Sequence, residues 1–351
     1  MQLLERARQA GHPLIDGKHA TFVWSGEAAP LLAGDFNGWN MDEAVRMHAA
    51  GPNLWTATLT FPMDAYVEYA YFASSKPEDR LKDPLNKRRV WNGVNGYNSA
   101  LYMPDASPDP LTKRRFGTAQ GTVTKIQVNT ARAGAGNKRA VHVYAPPGTT
   151  DPYPIIVCWD GPDYLKRGHL VTVVDNLIAD KRIWPVGLVM IENGKSLRML
   201  EYMANEYTLL WLQYAVLPAA LPLLNPVDTK RHPGAWGVMG ASMGGLMALY
   251  TGLRMHEQFG HVLSQSGAFE FGMEVPRPHP VFDLVSRGDK LPLKIYQDVG
   301  TMEWLLDCNR RMHDALQKKQ YDVAYHEFNA GHNYTAWSNT LARALTALYG
   351  R

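Results

Sequence analysis

One short segment carries the residues best suited to chemistry. Around Ser242 the chain reads Gly-Ala-Ser-Met-Gly-Gly, which contains the pattern Gly-x-Ser-x-Gly. An apolar run precedes it and a helix-like run follows, so the sequence predicts a strand, a tight turn and a helix. Glycines at 240 and 244 would let such a turn close, and a serine there lies at a helix N-terminus, where the helix dipole favours developing negative charge. A phosphate-binding loop is the alternative, but no lysine follows the glycines. We predict that Ser242 is a nucleophile and that the Met243 N–H donates to an oxyanion.

A nucleophilic serine needs a base, and the base needs an orienting acid. Where the serine lies on a strand-to-helix turn, the acid and then the histidine follow it along the chain. His332 lies in Asn-Ala-Gly-His-Asn, directly after a strand-like run, and such loops are where α/β sites are built. The preceding strand-like run, Lys-Ile-Tyr-Gln-Asp-Val-Gly, offers Asp298 within it and Glu303 after it. We predict that Glu303 opens the next helix and is the acid, with Asp298 as the second choice.

A second oxyanion donor has to come from another strand-to-helix loop. Cys-Trp-Asp-Gly-Pro-Asp follows the strand-like run at 154–159, which makes the N–H of Gly161 the candidate. A plain turn stays open as the alternative. The sequence contains no HExxH or CxxC pattern, so we predict neither a metal site nor a cofactor.

Two kinds of sequence pattern divide the chain into two parts. From about residue 22 to 103, short alternating apolar runs are separated by turn residues, which predicts a small antiparallel β-sandwich. A segment rich in proline and basic residues follows at 105–118 and reads as a linker. From 118 onward strand-like and helix-like runs alternate, which predicts an α/β domain with a mostly parallel sheet. The predicted domains are therefore 1–117 and 118–351, and the predicted helices are 172–180, 208–217, 244–255, 303–319 and 339–349.

Composition narrows the class of protein. The 351 residues carry 36 basic and 33 acidic side chains, a balance too even for a general nucleic-acid binder. The start of the chain mixes charges with apolar residues and is a poor secretory signal. The most apolar stretch, at 209–224, is too short to span a bilayer and is interrupted by Pro218 and Pro222. We expect a soluble, cytoplasmic protein that binds neither nucleic acid nor membrane.

The second domain resembles the enterochelin (ferric enterobactin) esterase branch of the esterase-D-like α/β-hydrolases. Five ordered segments carry the resemblance: the serine turn with its helix, Phe-Gly-His-Val-Leu-Ser-Gln-Ser-Gly after it, Arg198 to Glu201 with Asn205, Asp-Val-Gly-Thr-Met-Glu-Trp, and Asn-Ala-Gly-His-Asn-Tyr. The resemblance implies an α/β-hydrolase fold with Ser242, Glu303 and His332 as catalytic residues. It also implies that Arg198 and Asn205 line the site. The chain departs from the family at Ala215, where a glutamate is usual.

The same resemblance implies a substrate. It points to a catecholate trilactone siderophore, whose ester bonds are hydrolysed so that iron can be released. A ferric catecholate is strongly anionic and aromatic, so a site for it would use cations and rings. The basic candidates are Arg198, Lys166, Arg167 and Arg182. The candidates for aromatic walls are Trp159, Trp211, Trp304 and Trp337.

The first domain resembles the early-set, immunoglobulin-like β-sandwich that accompanies glycogen-branching enzymes and other carbohydrate-binding modules. Gly-Asp-Phe-Asn-Gly-Trp at 34–39 and Lys-Asp-Pro-Leu-Asn at 82–86 carry this likeness. Trp39 matches a sugar-stacking position, but Ala70 and Arg80 replace the lysine and second tryptophan of glucan binders. We expect a structural cover or a dimer surface, and a homodimer is one assembly it could form.

Two other functions remain open from the sequence. Esterase-D-like domains beside sandwich modules also cleave feruloyl or acetyl esters from carbohydrates, and the missing secretion signal and sugar-binding residues disfavour this. The chain could instead be a non-catalytic carbohydrate-binding or scaffolding protein, which the intact serine, glutamate and histidine disfavour.

Overall fold

The computed structural model describes residues 2–93, 96–130, 138–270 and 280–351. Contacts between residues divide the chain into two compact units. Unit 1 comprises Met1–Ser107 together with two later segments, Gly300–Trp304 and Glu327–Ala336. Unit 2 comprises Pro108–Val299, Leu305–His326 and Trp337–Arg351. No sequence pattern indicated that two segments near the C-terminus join unit 1. The boundary near Gly117 between independently folding domains stays a prediction.

Unit 1 begins with helix α1 (Gln2–Ala10) and continues as strands. Among its described residues, one sheet has the order β1-β2-β6-β5, and the other has the order β4-β3-β7-β10-β9 with β8 beside β7. The strands are β1 (Leu14–Asp16), β2 (His19–Ser25), β3 (Leu31–Gly34), β4 (Val45–Arg46), β5 (His48–Gly51), β6 (Leu54–Thr60), β7 (Tyr66–Phe72), β8 (Arg80–Leu81), β9 (Arg89–Trp91) and β10 (Tyr97–Tyr102). The prediction of an N-terminal β domain is confirmed.

Strand β7 shows how unit 1 is stabilised. All seven of its residues are buried, and successive side chains of a strand point to opposite faces. Val67, Tyr69 and Tyr71 join a core to which both sheets contribute. Tyr66 on the opposite face packs with Ala330 and Ala336 of the segment Glu327–Ala336. This segment therefore covers the outer face of the sandwich's central strand.

Unit 2 is built on an eight-stranded sheet, counted over the described residues, with the order β11-β12-β14-β13-β15-β16-β17-β18. Its strands are β11 (Thr122–Asn129), β12 (Lys138–Ala145), β13 (Ile155–Cys158), β14 (Gly187–Ile191), β15 (Trp236–Ala241), β16 (Phe259–Gln265), β17 (Lys294–Gly300) and β18 (Asp322–Phe328). Strand β12 pairs antiparallel with both β11 and β14, whereas β14, β13, β15, β16 and β17 are parallel in that order.

The α/β class is confirmed. The sheet is mixed: β14, β13, β15, β16 and β17 are parallel, as predicted for most of the sheet, whereas β12 is antiparallel to both of its neighbours. Only residues 130–137 separate β11 from β12. Parallel neighbours need a crossover connection of about a dozen residues or more. A connection this short therefore makes β11 and β12 an antiparallel pair.

The predicted helices 172–180 and 244–255 lie within two residues of observed helices, but the predicted helix 339–349 begins earlier, at Tyr334. The helices at 161–166, 198–202 and 280–287 were not predicted. Two other predictions differ from the structure. Helix α9 begins at Leu306, so Glu303 lies in the turn before it and does not open the helix. The predicted helix 208–217 consists of α5, a π-helical segment (Leu212–Val216) and α6, which places Pro218 in the first turn of α6. None of the described helices is both long and apolar enough to cross a membrane. The helices are α2 (Gly161–Lys166), α3 (Leu170–Ala179), α4 (Arg198–Tyr202), α5 (Glu206–Trp211), α6 (Leu217–Ala220), α7 (Met243–Arg254), α8 (Pro280–Arg287), α9 (Leu306–Lys318) and α10 (Tyr334–Tyr349).

Candidate active site

Ser242 lies at the junction of β15 and α7, as the sequence predicted. Its backbone has φ 60° and ψ −124°, a conformation that L-residues rarely adopt and that persists only where neighbours hold it. Its N–H donates to the Gln265 carbonyl at 2.8 Å, and its own carbonyl accepts from Ala268 at 3.0 Å and Leu246 at 3.1 Å. The loop after β16 and the first turn of α7 therefore fix the serine in this strained geometry.

The glycines around Ser242 are required by close backbone approach. A Cβ at Gly240 would lie 2.5 Å from the carbonyl carbon of Gly244, and one at Gly245 would lie 2.8 Å from the Ser264 Oγ. All of β15 and residues 243–253 of α7 are buried, and Ser242 is the one partly exposed residue between them. The turn thus presents a single hydroxyl from an otherwise buried strand and helix.

A second turn of the same kind lies beside the first. Strand β13 runs parallel to β15 and pairs with it, and Asp160 follows it with φ 57° before α2 begins at Gly161. A Cβ at Gly161 would lie 2.5 Å from the Ile191 N, so only glycine fits there. The first N–H groups of a helix have no acceptor within it. Gly161 and Met243 are both first residues of helices that start at the ends of adjacent parallel strands, which suits two donors to one oxyanion.

Asp160 is held by a network that the sequence analysis missed. Its buried carboxylate accepts from Arg198 Nε at 2.8 Å and Nη2 at 2.6 Å, and from Asn193 Nδ2 at 2.5 Å. Its backbone N–H donates to the hydroxyl of Tyr202 at 3.1 Å. Arg198, predicted to bind substrate, is therefore engaged bidentately with Asp160 and fixes the turn that carries Gly161. The sequence signal that could have indicated this network is the acidic residue between Trp159 and Gly161, directly after a strand-like run.

We expect Arg198→Gln to lower the free energy of unfolding by about 2–3 kcal/mol, because it leaves a buried carboxylate without its cation. Urea unfolding at neutral pH measures the change. Arg254→Gln is the matched control, because its ion pair with Glu206 is about half exposed on both sides and should contribute under about 1 kcal/mol. Equal losses in the two variants would contradict a structural role for the Arg198 pair.

The structure gives Asn205 and Trp159, the other residues predicted to contact substrate, a capping position and a buried position. Asn205 caps α5: its side chain accepts from the Tyr207 N–H at 2.9 Å and donates to the Leu200 carbonyl at 3.1 Å. Trp159 is fully buried, with its ring 5.4 Å from that of Tyr202. It was predicted to contact substrate as an aromatic wall of the site, and its burial beside Tyr202 leaves it no exposed face.

The remaining predicted aromatic walls divide in the same way. Trp211 and Trp337 are buried, and their indole N–H groups donate to the Asn129 carbonyl and the Ser266 hydroxyl. Trp304 is 60% exposed, and its ring lies 4.8 Å from that of His332. Of the four tryptophans, only Trp304 offers an open face.

Glu303 and His332 form a pair in unit 1. One carboxylate oxygen of Glu303 accepts from the Gly300 N–H at 2.6 Å, and the other contacts Nδ1 of His332. The Glu303 side chain is inaccessible to solvent, whereas that of His332 is 15% exposed. Asp298, the second choice for the acid, is buried within β17 and accepts from Gln265 Nε2 at 3.3 Å. The structure therefore pairs His332 with Glu303. Ser242, Met243 and Gly161 belong to unit 2.

Other nucleophiles and metal sites are poorly supported. Cys158 and Cys308 are buried free thiols. Burial raises the pKa of Cys308 to about 11 and that of Cys158 well above its usual value, so neither is a reactive thiolate at neutral pH. Within the described ranges, no cluster of three or more histidine, cysteine or acidic side chains could hold a metal ion.

Known proteins share this sequence pattern and this fold. Residues 133–348 match the model of the Esterase family, described as "Putative esterase". An iron(III) enterobactin esterase of Dickeya dadantii is 27% identical over 284 residues, which span 74% of this chain but 63% of that protein. The protein of the same name from Escherichia coli K12 is 24% identical over 331 residues, 86% of this chain and 80% of its own length. The chain thus spans less than two thirds of the Dickeya relative.

A solved structure extends the likeness to the whole fold. Ferric enterobactin esterase from Salmonella typhimurium has a TM-score of 0.80 at 22% identity, over 94% of this chain and 93% of that one. The predicted resemblance to enterobactin esterases is therefore confirmed. The family model covers more than half of the chain and includes both the serine turn and the histidine loop. This chain accordingly belongs to the Esterase family, and the prediction of a hydrolase acting on esters is confirmed at the level of the family.

Proposed function

We propose that the protein is a serine ester hydrolase in which Ser242, His332 and Glu303 form a catalytic triad. The observation that carries the proposal is the strained, partly exposed Ser242 at the head of a buried strand and helix, the geometry of a nucleophile elbow. The contact between Glu303 and His332 supports it, because an acid on Nδ1 orients a general base. The chain order serine, glutamate, histidine supports it too.

The residues suggest a two-step reaction. With Nδ1–H donated to Glu303, Nε2 of His332 takes the proton of Ser242 as Oγ attacks the ester carbonyl. The N–H groups of Met243 and Gly161 would hold the oxyanion, a contribution of about 3 kcal/mol for each donor. His332 then gives its proton to the leaving alcohol, and an acyl-enzyme remains. Water, deprotonated by the same histidine, attacks the acyl carbon and releases the acid and Ser242.

We further propose that the substrate is a catecholate trilactone siderophore. The names of the bacterial relatives support this, since they are iron(III) enterobactin esterases. Exposed apolar side chains also support it, because they suit the aromatic rings of such a ligand. Trp304 lies beside His332. In unit 2, the segment that holds Asp160 through Arg198 and Tyr202 also exposes Leu200, Met203 and Tyr207.

The sandwich is better suited to a structural role than to sugar binding. The guanidinium of Arg80 lies 5.2 Å from the centre of the Trp39 ring, and the indole N–H of Trp39 donates to Asp35 at 3.0 Å. The ring that would stack on a sugar is therefore covered on one face and held at its edge. We also propose that unit 1 has an immunoglobulin-like connectivity. The protein would form a homodimer and would be located in the cytoplasm.

A substrate panel tests the proposal. Product masses are followed for a trilactone siderophore with and without Fe(III), a feruloyl sugar and an acetylated sugar. We expect kcat/KM for the siderophore to exceed that for either sugar ester by at least about tenfold, the discrimination that a pocket gains from one or two well-placed contacts. Faster cleavage of a sugar ester would favour the carbohydrate esterase. No turnover and no labelling by a fluorophosphonate would favour the non-catalytic alternative.

A further inference from the structure

Asp35 is a buried carboxylate in unit 1, directly after β3. One of its oxygens accepts from Trp39 Nε1 at 3.0 Å, and the other accepts from the Glu68 N–H at 2.8 Å and from Asn333 Nδ2 at 3.2 Å. These three donors are neutral. Burial, followed by the charge of Glu68, raises the pKa of Asp35 well above its usual value. A carboxyl group is unfavourable in such a place unless its hydrogen bonds compensate for burial, and one of its three donors, Asn333, lies outside the sandwich strands.

The loop that carries His332 lies against this carboxyl group on both sides of the histidine. A Cβ at Gly331 would lie 2.5 Å from Cβ of Asp35 and would overlap its carboxyl carbon. Asn333 donates to Asp35 through Nδ2 while its Oδ1 accepts from the Ala336 N–H at 2.9 Å, which caps the first turn of α10. Asp35 therefore touches the residues immediately before and after His332.

The rest of the loop is also anchored on unit 1. The Asn329 carbonyl accepts from the Tyr66 N–H at 2.9 Å, and its amide donates to Asp64 at 2.8 Å. Met302, the residue before Glu303, packs against the sandwich core. The acid and the base are thus held by the β-sandwich as well as by the strands that precede them.

We propose that Asp35 is a positioning residue, which acts through Gly331 and Asn333 to hold the His332 imidazole against Glu303. This inference rests on the proposed function, in which His332 is the general base. It gives the N-terminal sandwich a role in aligning the catalytic pair instead of binding carbohydrate. Alignment matters because a displacement of about 1 Å at a reacting group lowers rates by about a hundredfold.

Two substitutions at Asn333 separate alignment from folding. Asn333→Asp and Asn333→Ser both keep an oxygen that can cap α10. Asn333→Asp turns a carboxylate toward Asp35, whereas Asn333→Ser only removes the hydrogen bond to Asp35. We expect kcat to fall about 100-fold in Asn333→Asp and about tenfold in Asn333→Ser, with KM within about threefold. We expect the wild type to show a downfield proton resonance for the His332 Nδ1–H, and we expect that resonance to vanish in Asn333→Asp.

A double variant supplies a rescue. Asp35→Asn places an amide donor opposite the carboxylate introduced by Asn333→Asp, so this hydrogen bond re-forms with donor and acceptor exchanged. The Glu68 N–H, which shares the same Asp35 oxygen, loses its acceptor, so the rescue is partial. We expect kcat of the double variant to exceed that of Asn333→Asp by about tenfold, a coupling typical of residues in direct contact. A double variant whose kcat is no higher than that of Asn333→Asp would overturn the inference.

Asp83→Asn is the matched control. Asp83 is a buried carboxylate of the same sandwich that accepts from Tyr69 and contacts His12, with no bond to the histidine loop. The Asp83→Asn substitution should lower Tm and leave kcat and the His332 Nδ1–H resonance unchanged. An active wild type whose kcat and resonance survive Asn333→Asp would overturn the inference, as would an equal kcat loss in Asp83→Asn. An inactive, unlabelled wild type would contradict the proposed function, and the resonance would still test the position of the loop.

Discussion

Ser242→Ala is expected to lower kcat/KM for ester hydrolysis by about 10⁴- to 10⁶-fold, the range found when the nucleophile of a serine triad is removed. The physical reason is that in the proposed mechanism Oγ of Ser242 forms the acyl-enzyme, and alanine has no nucleophilic atom in its place. Its turn is otherwise buried, and the cysteines are buried thiols. Two readouts measure the change: product formation from an activated ester, and the covalent mass gained with a fluorophosphonate probe.

Ser264→Ala is the control for this prediction. Ser264 is a buried residue of β16 whose Oγ lies next to the position that a Cβ on Gly245 would take. It shares the environment of the elbow but not its exposure. We expect this variant to keep its activity within about threefold and to label normally, in line with the modest effect of most substitutions away from a site. Labelling that survived in Ser242→Ala would identify another nucleophile and contradict the elbow assignment.

The serine turn could be predicted from sequence because its determinants are local. A side chain at Gly240 would collide with the backbone of Gly244, and one at Gly244 would lie 3.1 Å from Asp160 Oδ2. The apolar runs on either side indicate that a strand precedes the turn and a helix follows it. His332 and Glu303 were predictable for a similar reason, since both lie in loops that follow strands. The exact start of α9 was not, because Glu303 turns back to accept from the Gly300 N–H and so holds the chain in a turn before Leu306.

Long-range contacts account for what the sequence did not reveal. Asp35 and Asn333 are 298 positions apart, and no periodicity links them. Trp159 looked like a wall because it ends a strand near the site, but it is buried beside Tyr202. Arg198 looked like a cation for an anionic ligand, but it pairs with Asp160. In each case a chemically suggestive residue type was visible, and its partner was not.

Substitution of Glu303, the proposed acid of the triad, is expected to give the second large effect. We expect Glu303→Gln to lower kcat by about 10³- to 10⁴-fold, as loss of the carboxylate does in other triads. A carboxamide in this position can present its NH₂ group to Nδ1, which favours the tautomer with the proton on Nε2. That tautomer cannot take a proton from Ser242. Fluorophosphonate labelling should slow in parallel, because it needs the same base, whereas KM should change little.

Glu303→Asp tests the geometry of the carboxylate separately from its charge. Glu303 uses one oxygen for the Gly300 N–H and the other for His332. A side chain shorter by one methylene keeps the charge but cannot maintain both contacts at unchanged backbone positions. We expect an intermediate loss of about 10- to 100-fold, the scale of a small misplacement of a catalytic group. A loss as large as that of Glu303→Gln would mean that position matters as much as charge.

Asp298→Asn is the decisive comparison, because Asp298 was the other candidate for the acid. It is buried in β17 and accepts from the side chain of Gln265 on the neighbouring strand β16. We expect Asp298→Asn to lower Tm while kcat of the folded protein stays within about threefold, as for residues outside the reacting groups. If Asp298→Asn abolished turnover and Glu303→Gln kept it, the acid would have been assigned to the wrong carboxylate, even with Ser242 and His332 correctly placed.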